Sequence, residues 1–310
     1  MNRRQFLKTS ALAALATGGL SACQSMKGPE PVVLDGPLYR ISLDEGSLKR
    51  ALQKGEMKHL DFPVVARRDY QVEGVEYASQ FFQDKAADRT HLAELRNKCD
   101  GEGVTSVLIR CDDEGRIGDP DNAARTEAVE NHRKWLEAAK FLGCHSIRVN
   151  ASSSGAREEQ ARLVTDGLRR VCELARPLGL NVLLENRGGY SSNGKWMASV
   201  IQSTGLPNAG TLPDFGNFTD YDRYVGVQEM LPYAKGLAAQ SHDFDYDGKE
   251  KKTDFSNMLA MAYRSGYRGW VGIAYRGEVI GEAAGIRLTK KLLERIRDEI
   301  TSSLLNGTFL

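Results

Sequence analysis

From about residue 38 onward, short apolar runs alternate with stretches of helical period. The runs are 38–43 (LYRISL), 72–77 (VEGVEY), 104–110 (VTSVLIR), 145–149 (HSIRV), 180–185 (LNVLLE), 209–214 (AGTLPD), 235–241 (KGLAAQS) and 269–274 (GWVGIA). Their length and β-branched content predict eight strands. Helices are predicted over 92–102, 123–142, 158–177, 196–204, 222–231, 255–265 and 284–302. In the third of these, Leu163, Leu168, Val171, Cys172 and Ala175 share one face. Gly143, Gly179 and Gly266 follow helices directly and read as C-terminal stops. The alternation blurs over 56–72 (EMKHLDFPVVARRDYQ), which reads as a loop with a short helix. Strict strand–helix alternation predicts a single (β/α)8 TIM barrel. A doubly wound sheet would carry a glycine-rich loop after its first strand, and Ser42–Ser47 offers none.

The C-terminal strand ends of such a barrel form its active face, so their polar residues carry extra weight. Glu185 and Asp214 lie 29 residues apart, Asp214 and His242 28, and His242 and Ala274 32, about one strand–helix unit each. Two carboxylates and an imidazole at one end suggest a divalent metal site, whose fourth position here is an alanine. Glu185 follows Val182-Leu183-Leu184 and would be costly to bury without a metal or an ion-pair partner such as Arg148 or Arg187. Asp214 sits in LPDFGNF, where a turn or helix cap is the plainer role. Gln240 shares a strand face with His242, so either can be the inward group. Glu76 ends the second strand. Arg148 and Asn150 end the fourth, where they can hydrogen-bond substrate hydroxyls or form a network with Glu185. Tyr190, Trp196, Phe215, Phe218 and Tyr246 offer either sugar-stacking surfaces or loop packing.

The succession ENRGG, LPDFGNF, SHDFDYDGKE and YRGWVGIAYRG, preceded by AVENHRKWLEAAKFLGCHSIRVN, resembles the sugar phosphate isomerase/epimerase family of xylose isomerase-like TIM barrels. The resemblance spans roughly residues 38–300. It implies a divalent metal (Mn, Mg, Co or Zn) held by Glu, Asp, His and Glu on strands 5 to 8. It also implies proton transfer beside a carbonyl by the two glutamates. Glu185 and Asp214 match the first two ligands, and Gln240 or His242 the third. The fourth, the Glu of a G-I-E-Y-x-G motif, is replaced by Ala274 in Gly272-Ile273-Ala274-Tyr275-Arg276-Gly277. Arg187 stands where the family often has a histidine, and its fixed charge would repel a metal or hold a carboxylate or oxyanion. Glu278 and Glu282 lie just beyond on the loop. The expectation is an isomerase or epimerase acting on a sugar or keto-sugar, with Glu185 as base. Glu76, Arg148, Asn150, Arg187 and Arg276 would bind the substrate. The alternatives are a non-catalytic carbohydrate-binding lipoprotein and a one-base keto-sugar lyase or hydratase.

The N-terminus changes the expected setting. Asn2-Arg3-Arg4-Gln5-Phe6-Leu7-Lys8, an apolar stretch from Ala11, and Leu20-Ser21-Ala22-Cys23 read in order as a twin-arginine signal and a lipoprotein cleavage site. The expected organisation is signal 1–22, tether 23–35, barrel 36–302 and tail 303–310. Lipid on Cys23 would hold the protein at the periplasmic or outer-membrane side of the envelope. Without Arg3, Arg4 and Lys8 the chain carries 39 basic and 41 acidic residues, and no basic tract argues for nucleic acid. Cys99, Cys111, Cys144 and Cys172 form no C-x-x-C pair and read as buried thiols, although export permits disulfides. Oligomeric state is left open.

Overall fold

The computed structural model describes residues 36–309. Its eight strands are β1 (Arg40–Asp44), β2 (Gly74–Ala78), β3 (Thr105–Arg110), β4 (Ser146–Val149), β5 (Asn181–Glu185), β6 (Ala209–Leu212), β7 (Leu237–Ser241) and β8 (Trp270–Tyr275). Each falls within two residues of its expected bounds. All paired neighbours are parallel, in the order β6-β5-β4-β3-β2-β1-β8-β7. The ring closes between β6 and β7 through isolated bridges at Thr211–Ala234 and Asp214–Ala238. Pro213 has no N–H to give to a ladder, but its carbonyl accepts from Ala238 N at 2.9 Å. The expected (β/α)8 TIM barrel is therefore the fold.

Ten α-helices surround the strands: α1 (Lys49–Gln53), α2 (Phe62–Arg68), α3 (Arg89–Glu102), α4 (Asn122–Asn131), α5 (Arg133–Leu142), α6 (Arg157–Ala175), α7 (Gly194–Thr204), α8 (Arg223–Met230), α9 (Phe255–Arg264) and α10 (Glu282–Leu305). Side-chain oxygens of Asp88, Asp121, Asn193, Asp222 and Asp254 cap the N-termini of α3, α4, α7, α8 and α9. Gly143 and Gly179 end their helical segments at φ +81° and +72°, a left-handed backbone that glycine adopts without a Cβ clash. The helix expected over 123–142 is two helices. His132 Nδ1 donates to the Ala128 carbonyl at 2.7 Å, and the His132 amide turns to Val129 instead. A side chain that takes an i−4 carbonyl competes with the helix ladder. Helix α10 continues to Leu305, past the expected barrel end at 302.

Period-2 alternation divides each strand between two environments. Ile41, Leu43, Val75, Tyr77, Ile109, Ile147, Val182, Leu184, Val271 and Ile273 join the main apolar cluster with the helices. Residues of opposite parity face the barrel axis, where Leu108, Leu183, Leu212 and Trp270 form a small second cluster, joined by Val107 at the register shift between β2 and β3. Above it, polar residues close the strands. The buried cysteines are all free thiols. The expected signal, tether and lipidation residue Cys23 lie outside the described residues. Within those described, no helix is long and apolar enough to cross a membrane.

Candidate active site

Six strands carry a charged or amide side chain at or near their C-terminal ends, and all of these but Glu76 line one cavity. Asp44 closes β1, Glu76 lies on β2, Arg110 closes β3, Arg148 lies on β4, Glu185 closes β5 and Gln240 lies on β7. The cavity encloses about 570 Å³. Arg110 is its organising group and is 4% exposed. Its Nη1 donates to Glu185 Oε1 at 2.5 Å and its Nη2 to Glu76 Oε2 at 2.9 Å, while Nε lies 3.5 Å from Asp44 Oδ1. Glu76 also accepts from Ser42 Oγ at 2.7 Å. That carboxylate lies over Gly272, where a Cβ would collide with it.

Charges of alternating sign continue outward from Arg110. Arg276 pairs with Asp44 on one side. On the other, Arg148 Nε lies 3.1 Å from Glu185 Oε2, so both Glu185 oxygens face guanidinium groups. Arg148 also grips Asp112 through Nη1 at 2.8 Å and Nη2 at 3.3 Å. Asp112 in turn accepts from Asn150 Nδ2 at 3.0 Å and Arg187 Nη1 at 2.7 Å. Burying any of these carboxylates alone would cost several kcal/mol, roughly, and the interleaved arginines offset that cost.

The network sets the protonation states. Burial pushes the Glu185 carboxyl up, but Arg110 and Arg148 outweigh it and hold the group below its ordinary value. Asp44 is likewise buried, yet Arg110 and Arg276 bring it down to about 2. Glu76 is raised, because burial exceeds the pull of Arg110. Asp214 behaves differently. It is 2% exposed and has no arginine partner; burial, then the Glu185 charge, push its carboxyl up to about 7. Its Oδ1 accepts from the Gly216 and Asn217 amides at 2.7 and 3.0 Å, and Asn186 Oδ1 accepts from its amide at 2.7 Å.

The fold brings most of the sequence-predicted residues together. Glu185, Asp214, Gln240 and Arg148 line the cavity, as do Asn150, Arg187 and Arg276. Glu76 lies beneath Arg110. The open choice on β7 resolves to Gln240, which pairs in register with Ala274. His242 is half-buried outside the lining, and Gln240 Nε2 donates to its Nε2 at 3.1 Å. The loop residue Glu282 turns away and binds the Arg50 and Ala51 amides of α1. Asp44, Arg110 and Asp112 were not anticipated. Asp44 and Arg110 carry the same signal as Glu185, a charge closing an apolar strand, but sit on the early strands.

The expected divalent metal does not fit this donor set. Guanidinium groups claim both Glu185 oxygens, Asp214 Oδ1 serves backbone amides, the third position is a neutral amide, and the fourth is Ala274. Among the described residues, no three His, Cys, Asp or Glu side chains converge to hold a metal ion. The cation among Asp44, Glu76 and Glu185 is the Arg110 side chain itself. The expected ligand set of Glu185, Asp214 and His242 or Gln240 is therefore not assembled.

The family is decided by the sequence profile of xylose isomerase-like TIM barrels, which matches residues 66–299. The chain belongs to that family. Solved xylose isomerase-like barrels share its fold at low identity. A D-tagatose 3-epimerase-like protein superimposes with a TM-score of 0.67 at 15% identity, covering 86% of this chain and 99% of its own. The zinc-bound IOLI protein gives 0.65 at 13%, covering 84% and 98%. The 3-keto-D-glucoside 4-epimerase YcjR from E. coli gives 0.62 at 15%, covering 83% and 99%. No curated protein matches the chain. At these identities the likeness carries the xylose isomerase-like fold, and the site must be read from this chain's own residues.

Proposed function

We propose that the cavity binds a small sugar or keto-sugar and moves one proton beside its carbonyl without a resident metal. The observation that supports this most is Asp214. Of the two lining carboxyl groups without an arginine partner, Asp113 is exposed and Asp214 is buried, and Asp214 titrates near neutrality, where a general base is most effective. Glu185, the base expected from the resemblance, has both oxygens engaged and a depressed pKa, which suits it to orienting arginines.

Ionised Asp214 takes the proton from the carbon beside the carbonyl, and the C–H electron pair moves onto the carbonyl oxygen. Arg187 and Arg276 lie at the cavity with side chains 52% and 34% exposed. Each keeps guanidinium N–H groups beyond its ion pair to stabilise the resulting enolate oxygen. If the Asp214 proton exchanges with solvent before it returns to the same face, the result is isotope exchange; delivery of a solvent proton to the other face, with loss of the Asp214 proton to solvent, completes an epimerisation. The neighbouring folds include proteins named for tagatose and for a 3-keto-glucoside, which supports keto-sugars as the substrate class. The N-terminal signature supports an exported, lipid-held protein.

The test is deuterium wash-in from D2O into D-tagatose, D-fructose and a 3-keto-D-glucoside, followed by proton NMR. Exchange that is lost in Asp214→Asn supports the reading. Saturable binding of these sugars with no exchange would replace it with the second reading, a carbohydrate-binding lipoprotein, which Ala274 favours by removing one of the two family bases.

A further inference from the structure

We propose that a second cleft beside the central cavity is a sugar subsite, so that the ligand is a glycoside or oligosaccharide rather than a free monosaccharide. This rests on the reading of the central cavity as a sugar site. The cleft encloses about 560 Å³ and is built by the loops after β4, β5 and β6 together with the start of α6. Those loops also supply the central cavity, so both openings lie on the C-terminal face of the barrel.

The two spaces adjoin along the chain. Arg187 and Asn217 line the central cavity, and Gly189 and Thr219, two residues further along the same loops, line the cleft. Two residues span at most about 7 Å, roughly the length of one sugar ring. Ser192 ties the loops together, its hydroxyl lying 3.2 Å from the Asn217 carbonyl and 3.3 Å from Thr219 Oγ1. A ligand held by Arg187 in the central cavity can therefore place its next ring in the cleft.

The lining has the chemistry that a sugar ring presents. One face of a sugar is C–H, and its edge is hydroxyl. Tyr190 supplies an aromatic surface, 37% exposed, with the Arg157 guanidinium 5.9 Å from its ring centre and the Trp196 ring 6.4 Å away. Around it stand hydrogen-bonding groups without partners among the described residues. Gln160 uses Nε2 on the Gly155 carbonyl, which leaves Oε1 open. Asn193 uses Oδ1 on Trp196 N and Arg157, which leaves Nδ2 open. Asp220 holds φ +54°, uncommon for a non-glycine residue, and offers both carboxylate oxygens. An amphipathic tyrosine ringed by amides and a carboxylate suits a neutral polyol better than an apolar ligand or an anion.

The experiment is calorimetric titration of the full chain in detergent with glucose, cellobiose, maltose and trehalose. The expected result is that at least one disaccharide binds about tenfold tighter than glucose. Tyr190→Ala should remove that advantage and leave glucose affinity unchanged, and Gln160→Ala should reduce it in part. Glucose binding with no disaccharide advantage, or an equal effect of Tyr190→Ala on both sugar classes, overturns the subsite and spares the central site. Absence of binding by all four sugars overturns the subsite, while the central site stands or falls by the keto-sugar exchange described above.

Discussion

Replacing Arg110 with methionine tests the electrostatic core of the site. Methionine keeps much of the side chain's length and removes its charge. Asp44, Glu76 and Glu185 would lose the cation they share, each having been 0–3% exposed. Removing one partner of a buried ion pair costs about 3–5 kcal/mol. In a barrel of this size a loss of that order lowers Tm by roughly 6–20 °C. The pH dependence is more diagnostic. With Arg110 present, the folded-state pKa of Glu185 is depressed. Its contribution is present above the unfolded value of about 4 and is lost as pH falls through the folded pKa. Without Arg110, Glu76 has no cation left and rises further, and Glu185 and Asp44, held by Arg148 and Arg276 alone, rise as well, so the ionised carboxylates destabilise the fold at neutral pH and are relieved by protonation as pH falls. The stability deficit of Arg110→Met should therefore shrink from pH 7 to pH 5, measured by urea unfolding followed by circular dichroism. Arg68→Met, which removes an exposed partner of Glu102, serves as the control and should leave the midpoint unchanged. A deficit under about 1 kcal/mol at pH 7, or one independent of pH, would refute the idea that Arg110 is the cation the site is built around.

Asp214→Asn should flatten a specific part of the stability profile. The folded pKa of Asp214, about 7, exceeds its unfolded value, so the folded state binds the extra proton and stability from this group falls as pH rises between about 4 and 7; urea midpoints of the two proteins across that range check the sign. Excess EDTA should leave both Tm and sugar binding unchanged, and a chelator-dependent loss of either would revive a resident metal. Calorimetry with Zn2+ or Mn2+ should detect no binding to Ala274→Glu alone, because the guanidinium still occupies the site, and should detect binding to Ala274→Glu combined with Arg110→Met. The thiols of Cys99, Cys111, Cys144 and Cys172 should react with Ellman's reagent only after denaturation, since all four are buried and free. Cys23→Ser should release the protein from the membrane fraction, as read by fractionation and immunoblot.

The fold was legible because short apolar runs, most with a polar residue at or near the C-terminal end, alternate with amphipathic helices. Periodicity located each strand within two residues, and helix-ending glycines marked the turns. It could not locate the break at His132, which depends on a side chain capturing one particular carbonyl. The membership of the site was mostly legible too, through the rule that strand ends face the cavity. Pairing was not. Whether Glu185 meets a metal or Arg110 depends on how β2, β3 and β5 register across the barrel, including the extra residue Val107 that shifts β3 against β2. Attention to ligand-type residues on strands 5 to 8 also passed over Asp44 and Arg110, although both close buried strands in the manner of Glu185.

A decaying metal site and a rebuilt one predict different things of buried charge. Loss of a metal by decay leaves carboxylates facing one another with nothing between them, a costly arrangement at low exposure. Here Asp44, Glu76, Glu185 and Asp112 each meet an arginine, and Asp214, the one that does not, accepts backbone amides and rises toward neutrality. Against the ligand pattern that the resemblance implies, Arg110 puts a single positive charge among the carboxylates, Ala274 stands where a carboxylate is expected, and the neutral Gln240 takes the third position. One negative charge fewer beside a cation of one charge rather than two keeps the same balance. Ala274 is then the counterpart of Arg110: a glutamate at that position, fully buried beside Gln240, would have no cation left to meet.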